Sequence, residues 1–234
     1  MNGKPEAVSA ENADMISVFT AAFCSEKKNE ALPVPPAAET EPLLEMLRAL
    51  HGRAKYLTDG KLHVYPVKYQ PVFEGIRLER LTGEQFLFLA GVCVSLSVSM
   101  GTDCVIDPPS AAALNGARRC IDRVACIRET PAGGLCCGMA AHLPVVHIDP
   151  AVPPLFAAGL MAGAPLAWDD TDFVFDRCAP AATHLFCLEQ IRAYGGETQT
   201  LIDGVRIYSR RDALPPLPEK LRKKRQLFMP RGRL

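Results

Sequence analysis

The sequence lacks the motifs that mark the commonest nucleotide and metal sites. It has no phosphate-binding loop ending in lysine and no G-x-G-x-x-G placed between a strand and a helix. No C-x-x-C pair occurs, and the adjacent Cys136 and Cys137 are poorly spaced for one tetrahedral ion. A metal site from Cys137, His142, His147 and Cys178 is conceivable, but the sequence predicts neither a metal nor a cofactor.

Signatures of secretion and membrane insertion are also absent. The first twenty residues include Glu6, Glu11 and Asp14, which argues against a secretory or mitochondrial presequence. The longest apolar run, residues 86–99, is too short and too rich in serine to span a bilayer. The 9 cysteines are odd in number and follow no disulfide framework. Reduced thiols and a cytoplasmic location are therefore expected.

The formal net charge is zero, but the charged side chains are unevenly distributed along the chain. The chain has 26 basic and 26 acidic side chains, and its last 15 residues hold seven Lys or Arg and no acid. An acidic body with a basic tail predicts contact with a polyanion, such as tRNA or another RNA. A solvated terminal charge run is the alternative. The candidate nucleic-acid residues in this tail are Lys220, Arg222, Lys223, Lys224 and Arg225.

The composition, 48% hydrophobic and 22% charged, is that of a packed protein. The chain divides into a weakly ordered N-terminal arm with at most one docked helix (1–40), one globular domain (41–214) and a basic tail (215–234). Several strands and few helices predict an α/β fold of the α+β type, with a mixed sheet or partly closed barrel flanked by helices. No internal repeat is detectable.

Periodicity and turn residues place the individual elements. Three helices are predicted: one near each end of the domain, at 40–52 and 183–194, and one between them at 111–119. The apolar run at 86–99 is interpreted as one or two buried strands, and Asp203-Gly204 marks the turn of a hairpin. The remaining predicted strands are 62–67, 104–106, 124–127, 144–148 and 173–175, and the hairpin covers 200–209.

Several short phrases recur in one family of known proteins. They are Gly101–Asp107, Val124–Ile127, Gly133–Met139, Leu143–Pro150 and Phe156–Gly163, leading to Asp172 and Phe173. With these phrases the stretch from Gly101 to Phe175 resembles the YbaK/prolyl-tRNA-synthetase-associated family of aminoacyl-tRNA deacylases. The resemblance implies a YbaK-like fold in which a glycine-rich loop, a strand and a small-residue strand line an editing pocket.

The resemblance further implies hydrolytic editing of mischarged aminoacyl-tRNA, the deacylation of a small amino acid ester during translation. Lys68 is the candidate for the family's functional lysine, although its distance from Gly101 is longer than in the family. Cys136 and Cys137 stand where the family's loop carries a proline. The implied substrate-binding residues are Gly101, Asp103, Gly133, Gly134, Gly138, His147, Gly159 and Gly163.

Other functions stay open at this point. A non-catalytic RNA- or protein-binding module would keep an α/β fold and use its basic C-terminal tail. An interaction protein of unrelated α/β fold would have no pocket beside residues 133–138. A cysteine-dependent enzyme would need one thiol within hydrogen-bonding reach of a histidine.

Overall fold

The structure, a computed structural model, describes residues 7–36, 40–71, 76–79, 81–97, 100–103, 127–129, 135–137 and 144–219. The helices in these ranges are α1 (Ala10–Cys24), α2 (Glu41–Ala49), α3 (Gly83–Ser95), α4 (Pro154–Gly163) and α5 (Ala182–Ala193). The strands are β1 (Glu30–Leu32), β2 (Arg53–Tyr56), β3 (Leu62–Tyr65), β4 (Ile76–Glu79), β5 (Met100–Asp103), β6 (Ile127–Glu129), β7 (Leu135–Cys137), β8 (Val145–Ile148), β9 (Thr171–Phe175), β10 (Thr198–Thr200) and β11 (Gly204–Ile207).

These strands form three sheets that share one topology. The sheets have the orders β1-β3-β2, β4-β5-β7-β6 and β8-β9-β11-β10. In the second and third sheets the first two strands are parallel and flank one helix, and the last two pair antiparallel. The first sheet repeats this arrangement after α1, without a strand beside β1 among the described residues. The fold thus contains a threefold structural repeat that the sequence does not reveal.

The three repeated helices α1, α3 and α4 form the centre of the core. In α3 eleven of thirteen residues are buried and in α4 nine of ten, so each is apolar around its whole circumference. The edge-to-face rings of Phe19 and Phe88, 5.4 Å apart, join α1 to α3. Residues 7–36, predicted as part of a weakly ordered arm, therefore contribute a central helix.

Helix α3 replaces the buried strands predicted over residues 86–99. Its start is fixed by a capping box: the Thr82 hydroxyl accepts the Gln85 N–H at 3.2 Å, and the Gln85 side chain accepts the Thr82 N–H at 3.1 Å. A helix is predicted from an alternation of apolar and polar residues with a helical period, and this uniformly apolar run has none. Its β-branched residues indicated strands instead. The prediction was wrong because the helix is buried on all sides.

Helices α3 and α4 cross at a contact between glycines. A Cβ atom on Gly91 would lie 2.2 Å from the Phe156 carbonyl oxygen, and one on Gly159 would lie 2.1 Å from that of Phe88. One turn later in α4, Gly163 packs against Ser95. Small residues at this spacing let the two backbones approach closely. The glycines of the phrase Phe156–Gly163 thus pack two helices together and do not form a strand.

The three central helices point in the same direction. Phe88 of α3 contacts Gly159 of α4, and Ser95, later in α3, contacts Gly163, later in α4, so the two helices run parallel. Arg210 donates to the Cys24 carbonyl at the end of α1, and its own N–H donates to the Pro165 carbonyl beyond α4. The C-termini of α1 and α4 therefore lie at one end of the molecule. All three N-termini face the opposite end.

The sheets pack around this helical centre. Strands of the first and third sheets alternate buried and more exposed side chains, as expected when one face covers a core and the other meets solvent. The α+β class is confirmed, and the described strands form no closed barrel. Within the described ranges, no helix has both the length and the apolar character needed to cross a membrane.

Candidate functional site

A cleft of about 790 Å³ lies at the carboxyl ends of the parallel strands β8 and β9. This is the position at which open α/β sheets commonly bind ligands. Helix α4 begins six residues after the last residue of β8, so its N-terminus belongs to the same end of the molecule. The lining residues are Asp149, Pro150, Ala151, Val174, Phe175, Asp176, Arg177 and Asp203.

Turn geometry positions the charged groups of this cleft. The Asp149 carboxylate accepts the Ala151 N–H at 2.6 Å, which tightens the turn after β8. The Asp176 N–H donates to the Ile148 carbonyl at 2.8 Å and joins the ends of the two strands. Arg177 follows with φ of 56°, a left-handed conformation that is costly for a residue with a side chain.

The side chains of His147 and Asp176 are in hydrogen-bonding contact at the edge of the cleft. The Asp176 carboxylate lies 3.0 Å from Nδ1 of His147, and both side chains are about half exposed. A carboxylate on Nδ1 favours the tautomer in which Nε2 is the basic nitrogen. A histidine oriented in this way can accept a proton from a nucleophile.

A second cleft, of about 560 Å³, lies between α5 and the β10–β11 hairpin. It shares Phe175 and Asp203 with the first cleft and is mostly apolar. Ile202, at the hairpin tip, is fully exposed, and Leu185 is about half exposed. The two clefts together give a charged region beside an apolar one.

Cys178 lines the second cleft but is a poor nucleophile. Burial raises the pKa of its thiol, and the nearby carboxylates of Asp149 and Asp176 raise it further. The thiol donates to the Ile148 carbonyl at 3.3 Å. Burial raises the pKa of Cys24 to about 12 as well. Both thiols are protonated at neutral pH, which disfavours a cysteine-dependent enzyme built on them.

The structure brings few of the sequence-predicted site residues together. His147 lies at the candidate cleft, whereas Gly159 and Gly163 lie inside α4 against α3. Lys68 is exposed after β3, and Gly101 and Asp103 belong to β5. Gly133, Gly134, Gly138 and the tail residues Lys220, Arg222, Lys223, Lys224 and Arg225 lie outside the described residues. Contact of the tail with RNA stays a prediction.

Sequence reasoning missed most of the cleft. Asp149 and Asp176 follow strands that were predicted, so their common position could have been inferred from a parallel pairing of those strands. Arg177 carried no signal, because nothing in the sequence marks its left-handed backbone. Among the described residues no group of three His, Cys, Asp or Glu side chains is placed to hold a metal ion.

No protein-family model matches the chain, and no curated protein does. Solved structures do match. The enolpyruvyl transferase NikO from Streptomyces tendae is 16% identical, with a TM-score of 0.52 over 90% of this chain and 49% of its own. EPSP synthase from Acinetobacter baumannii is 14% identical, with a TM-score of 0.54 over 83% of this chain and 45% of its own. The chain thus spans about half the length of these proteins.

These matches show that the chain shares its fold with about half of NikO and about half of EPSP synthase. They overturn the resemblance to YbaK deacylases, because the described architecture matches a different fold over most of its length. Hydrolytic editing of aminoacyl-tRNA was therefore a wrong prediction. The alternative, a non-catalytic RNA- or protein-binding module, gains no support from the matches. Short glycine-based phrases gave the false resemblance.

Proposed function

We propose that the chain is about half of an enolpyruvyl-transferase-type enzyme and that the cleft at the ends of β8 and β9 binds an anionic substrate group. The observation that carries this proposal is the fold shared with the enolpyruvyl transferase NikO and EPSP synthase over 83% to 90% of the chain. Since the chain spans about half of those proteins, completing an active site requires further residues from outside it.

Enolpyruvyl transfer requires the site to bind a carboxylate, because every enolpyruvyl group carries one. Arg177 is the cationic side chain lining the cleft, and no hydrogen bond or ion pair joins it to another described residue. Nearby, α4 has neither a capping side chain nor an acid in its first turn, so its N-terminal dipole favours an anion. Arg177 and this helix end therefore support binding of the enolpyruvyl carboxylate.

Transfer of the group also needs a base. The acceptor hydroxyl adds to the enol carbon of phosphoenolpyruvate, whose methylene carbon gains a proton, and phosphate then leaves as the methylene carbon loses a proton and the double bond re-forms. The proton of the acceptor hydroxyl must be taken up by a base. In this proposal His147 accepts that proton at Nε2, and Asp176 stabilises the resulting imidazolium across their 3.0 Å contact. The carboxylates of Asp149, Asp176 and Asp203 line the same cleft and oppose anion binding, so Arg177 has to offset them.

Calorimetric binding of phosphoenolpyruvate tests the proposal. Arg177→Gln is expected to weaken binding about tenfold through loss of a charge-assisted contact. Asp203→Asn should strengthen it about threefold, because one opposing charge is removed. The matched control is Arg48→Gln on α2, whose guanidinium pairs with Glu41 at 2.8 Å. Absence of binding, or equal affinity in the Arg177 and Arg48 variants, would refute this site.

Turnover is measured separately, once the residues that complete the active site are supplied, as phosphate release from phosphoenolpyruvate in the presence of a panel of hydroxylated acids. His147→Asn should lower the rate with little effect on the affinity for phosphoenolpyruvate. Loss of affinity without loss of rate would assign His147 to binding instead of proton transfer.

A further inference from the structure

The first sheet has no described strand at one position that the other two sheets fill. In those sheets a strand that precedes the central helix, β4 or β8, pairs in parallel with the strand that follows it, β5 or β9. In the first sheet β1 stands where β5 and β9 stand, and among the described residues it pairs only with β3. The repeat therefore predicts a parallel strand along the outer edge of β1, the edge that faces away from β3.

Backbone groups of β1 point toward this outer edge. In an antiparallel pair, successive residues direct their N–H and C=O groups alternately toward the partner strand and away from it. At least one of the residues of β1, Glu30–Leu32, therefore directs both groups away from β3. No backbone hydrogen bond joins β1 to a described residue outside its sheet. Such an edge is a template for another strand.

Helix α5 of the third repeat corresponds to α2 of the first. Helix α2 connects β1 to the edge strand β2, and α5 connects β9 to the edge strand β10. The two helices also end in the same turn: the Gly52 N–H donates to the Leu47 carbonyl at 2.9 Å, and the Gly196 N–H donates to the Ile191 carbonyl at 2.8 Å. This shared turn aligns the two helices residue by residue.

A stripe that is buried on α2 is only partly buried on α5. In the alignment the stripe comprises the buried Pro42, Met46 and Leu50 of the first repeat and the partly buried Phe186, Gln190 and Tyr194 of the third. Helix α2 packs against β4, the first strand of the following repeat. Helix α5 packs against α1, so the first repeat follows the third around the core. The strand that would cover α5 as β4 covers α2 is therefore the one predicted beside β1.

The end of this stripe lies close to the start of β1. Burial raises the pKa of Tyr194, and the carboxylate of Glu30, the first residue of β1, raises it further. A Cβ atom on Gly195 would lie 3.9 Å from the Cys24 carbonyl oxygen, so α5 ends beside the C-terminus of α1. One strand on the outer edge of β1 can therefore contact α5 as well.

We propose that residues 226–229 of the C-terminal tail bind the outer edge of β1 as a parallel strand and cover the adjoining stripe of α5. The order of the repeats supports this segment. The first strand of a repeat directly follows the hairpin of the repeat before it, since β4 follows β3 and β8 follows β7. The chain that follows the last hairpin, β10–β11, is the segment that leads to the tail.

The chain after β11 passes the end of the molecule at which β1 begins. Arg210 donates to the carbonyl oxygens of Cys24 and Ser25, at the C-terminus of α1. A strand parallel to β1 has to begin at this same end, because β1 starts shortly after α1. Residues 220–225, which connect the described chain to the proposed strand, can span about 20 Å when extended.

The residue types of the segment suit a strand that is buried on one face. Residues 227–229 are Leu-Phe-Met, and Pro230 follows them as a strand end. The alternative within the chain is the segment before α1, because β4 and β8 precede α3 and α4 in the same way. Residues 1–6 include Gly3 and Pro5 and no β-branched or aromatic residue, which disfavours a strand there.

Residue-resolved hydrogen exchange of the full chain tests the added strand. Every amide of β1 should be protected, because β3 and the tail together bind all of them. Adjacent residues of a strand direct their N–H groups to opposite sides, so one of Leu227→Pro and Phe228→Pro removes a bond to β1. That variant should speed exchange of the outward amides of β1 about tenfold. The control Arg233→Pro lies beyond the strand and should have no effect. Unprotected outward amides in the wild type, or no change in either variant, overturn the proposal.

A photoreactive side chain identifies which segment occupies the edge. With p-benzoylphenylalanine in place of Phe228, irradiation should cross-link the tail to β1 or α5, and the same residue in place of Leu234 should cross-link to neither. A mixture of isotopically light and heavy chains separates contacts within one chain from contacts between copies. Cross-links to other elements, or only between copies, overturn the assignment to the tail of the same chain. Neither measurement involves phosphoenolpyruvate, so the added strand is tested independently of the enolpyruvyl-transferase proposal.

Discussion

At the scale of single residues, buried titratable groups link the fold to pH. His184 is 3% exposed at the third position of α5, where its Nδ1 accepts the Ala181 N–H at 3.1 Å. Burial lowers the pKa of His184 to about 4, and the nearby Pro154 backbone opposes this only in part. The folded chain therefore keeps this imidazole neutral, while the unfolded chain protonates it near its ordinary pKa.

The folded state thus loses stability as the pH falls. The contribution of His184 is complete above the unfolded pKa near 6.5 and is lost progressively down to the folded pKa of about 4. The expected total loss is about 3 kcal/mol in the free energy of unfolding. Urea unfolding at pH 7.5 and pH 4.5 measures it. His184→Asn keeps an acceptor for Ala181, and it should show a distinctly smaller loss. Equal losses would mean that another group titrates.

At the scale of secondary-structure elements, the crossing of α3 and α4 depends on two glycines. Gly91→Ala places a methyl group 2.2 Å from a backbone oxygen that cannot move independently, so the helices must separate. The expected cost is about 3 kcal/mol, against about 1 kcal/mol of helix propensity that alanine supplies. Denaturant unfolding checks this. The exposed Glu189→Ala on α5 is the control and should change stability little. An unchanged free energy of unfolding in Gly91→Ala would show that the two helices are less closely packed at this crossing than described.

Elements with one polar face could be predicted from the sequence, and buried ones could not. Helix α5, strands β8 and β9 and the β10–β11 hairpin follow the predicted positions, because each alternates or ends at a clear turn residue. Helices α3 and α4 have no polar face, so periodicity gave no signal. The cleft shares this difficulty: its lining comes from three turns that meet only after strands pair.

At the scale of the whole molecule, the three repeats share one core. Buried residues of α1, α3, α4 and α5 and of all three sheets belong to a single continuous cluster. We expect the repeats to unfold together, because none can bury its central helix alone. Trp168 fluorescence and far-ultraviolet circular dichroism should then give coincident urea transitions. Separate midpoints would mean that the third repeat, which carries Trp168, unfolds on its own.

The glycine contact between α3 and α4 also limits how the sequence can diverge. A Cβ added to either glycine meets the backbone of the other helix: on Gly159 it would lie 2.1 Å from the Phe88 carbonyl oxygen and 3.1 Å from the Gly91 Cα, and on Gly91 it would lie 2.2 Å from the Phe156 carbonyl oxygen and 3.0 Å from the Gly159 carbonyl carbon. A chain that acquired a side chain at one position would have to repack the helix pair before the other could vary. We therefore expect related sequences to keep glycine at both positions or to change both.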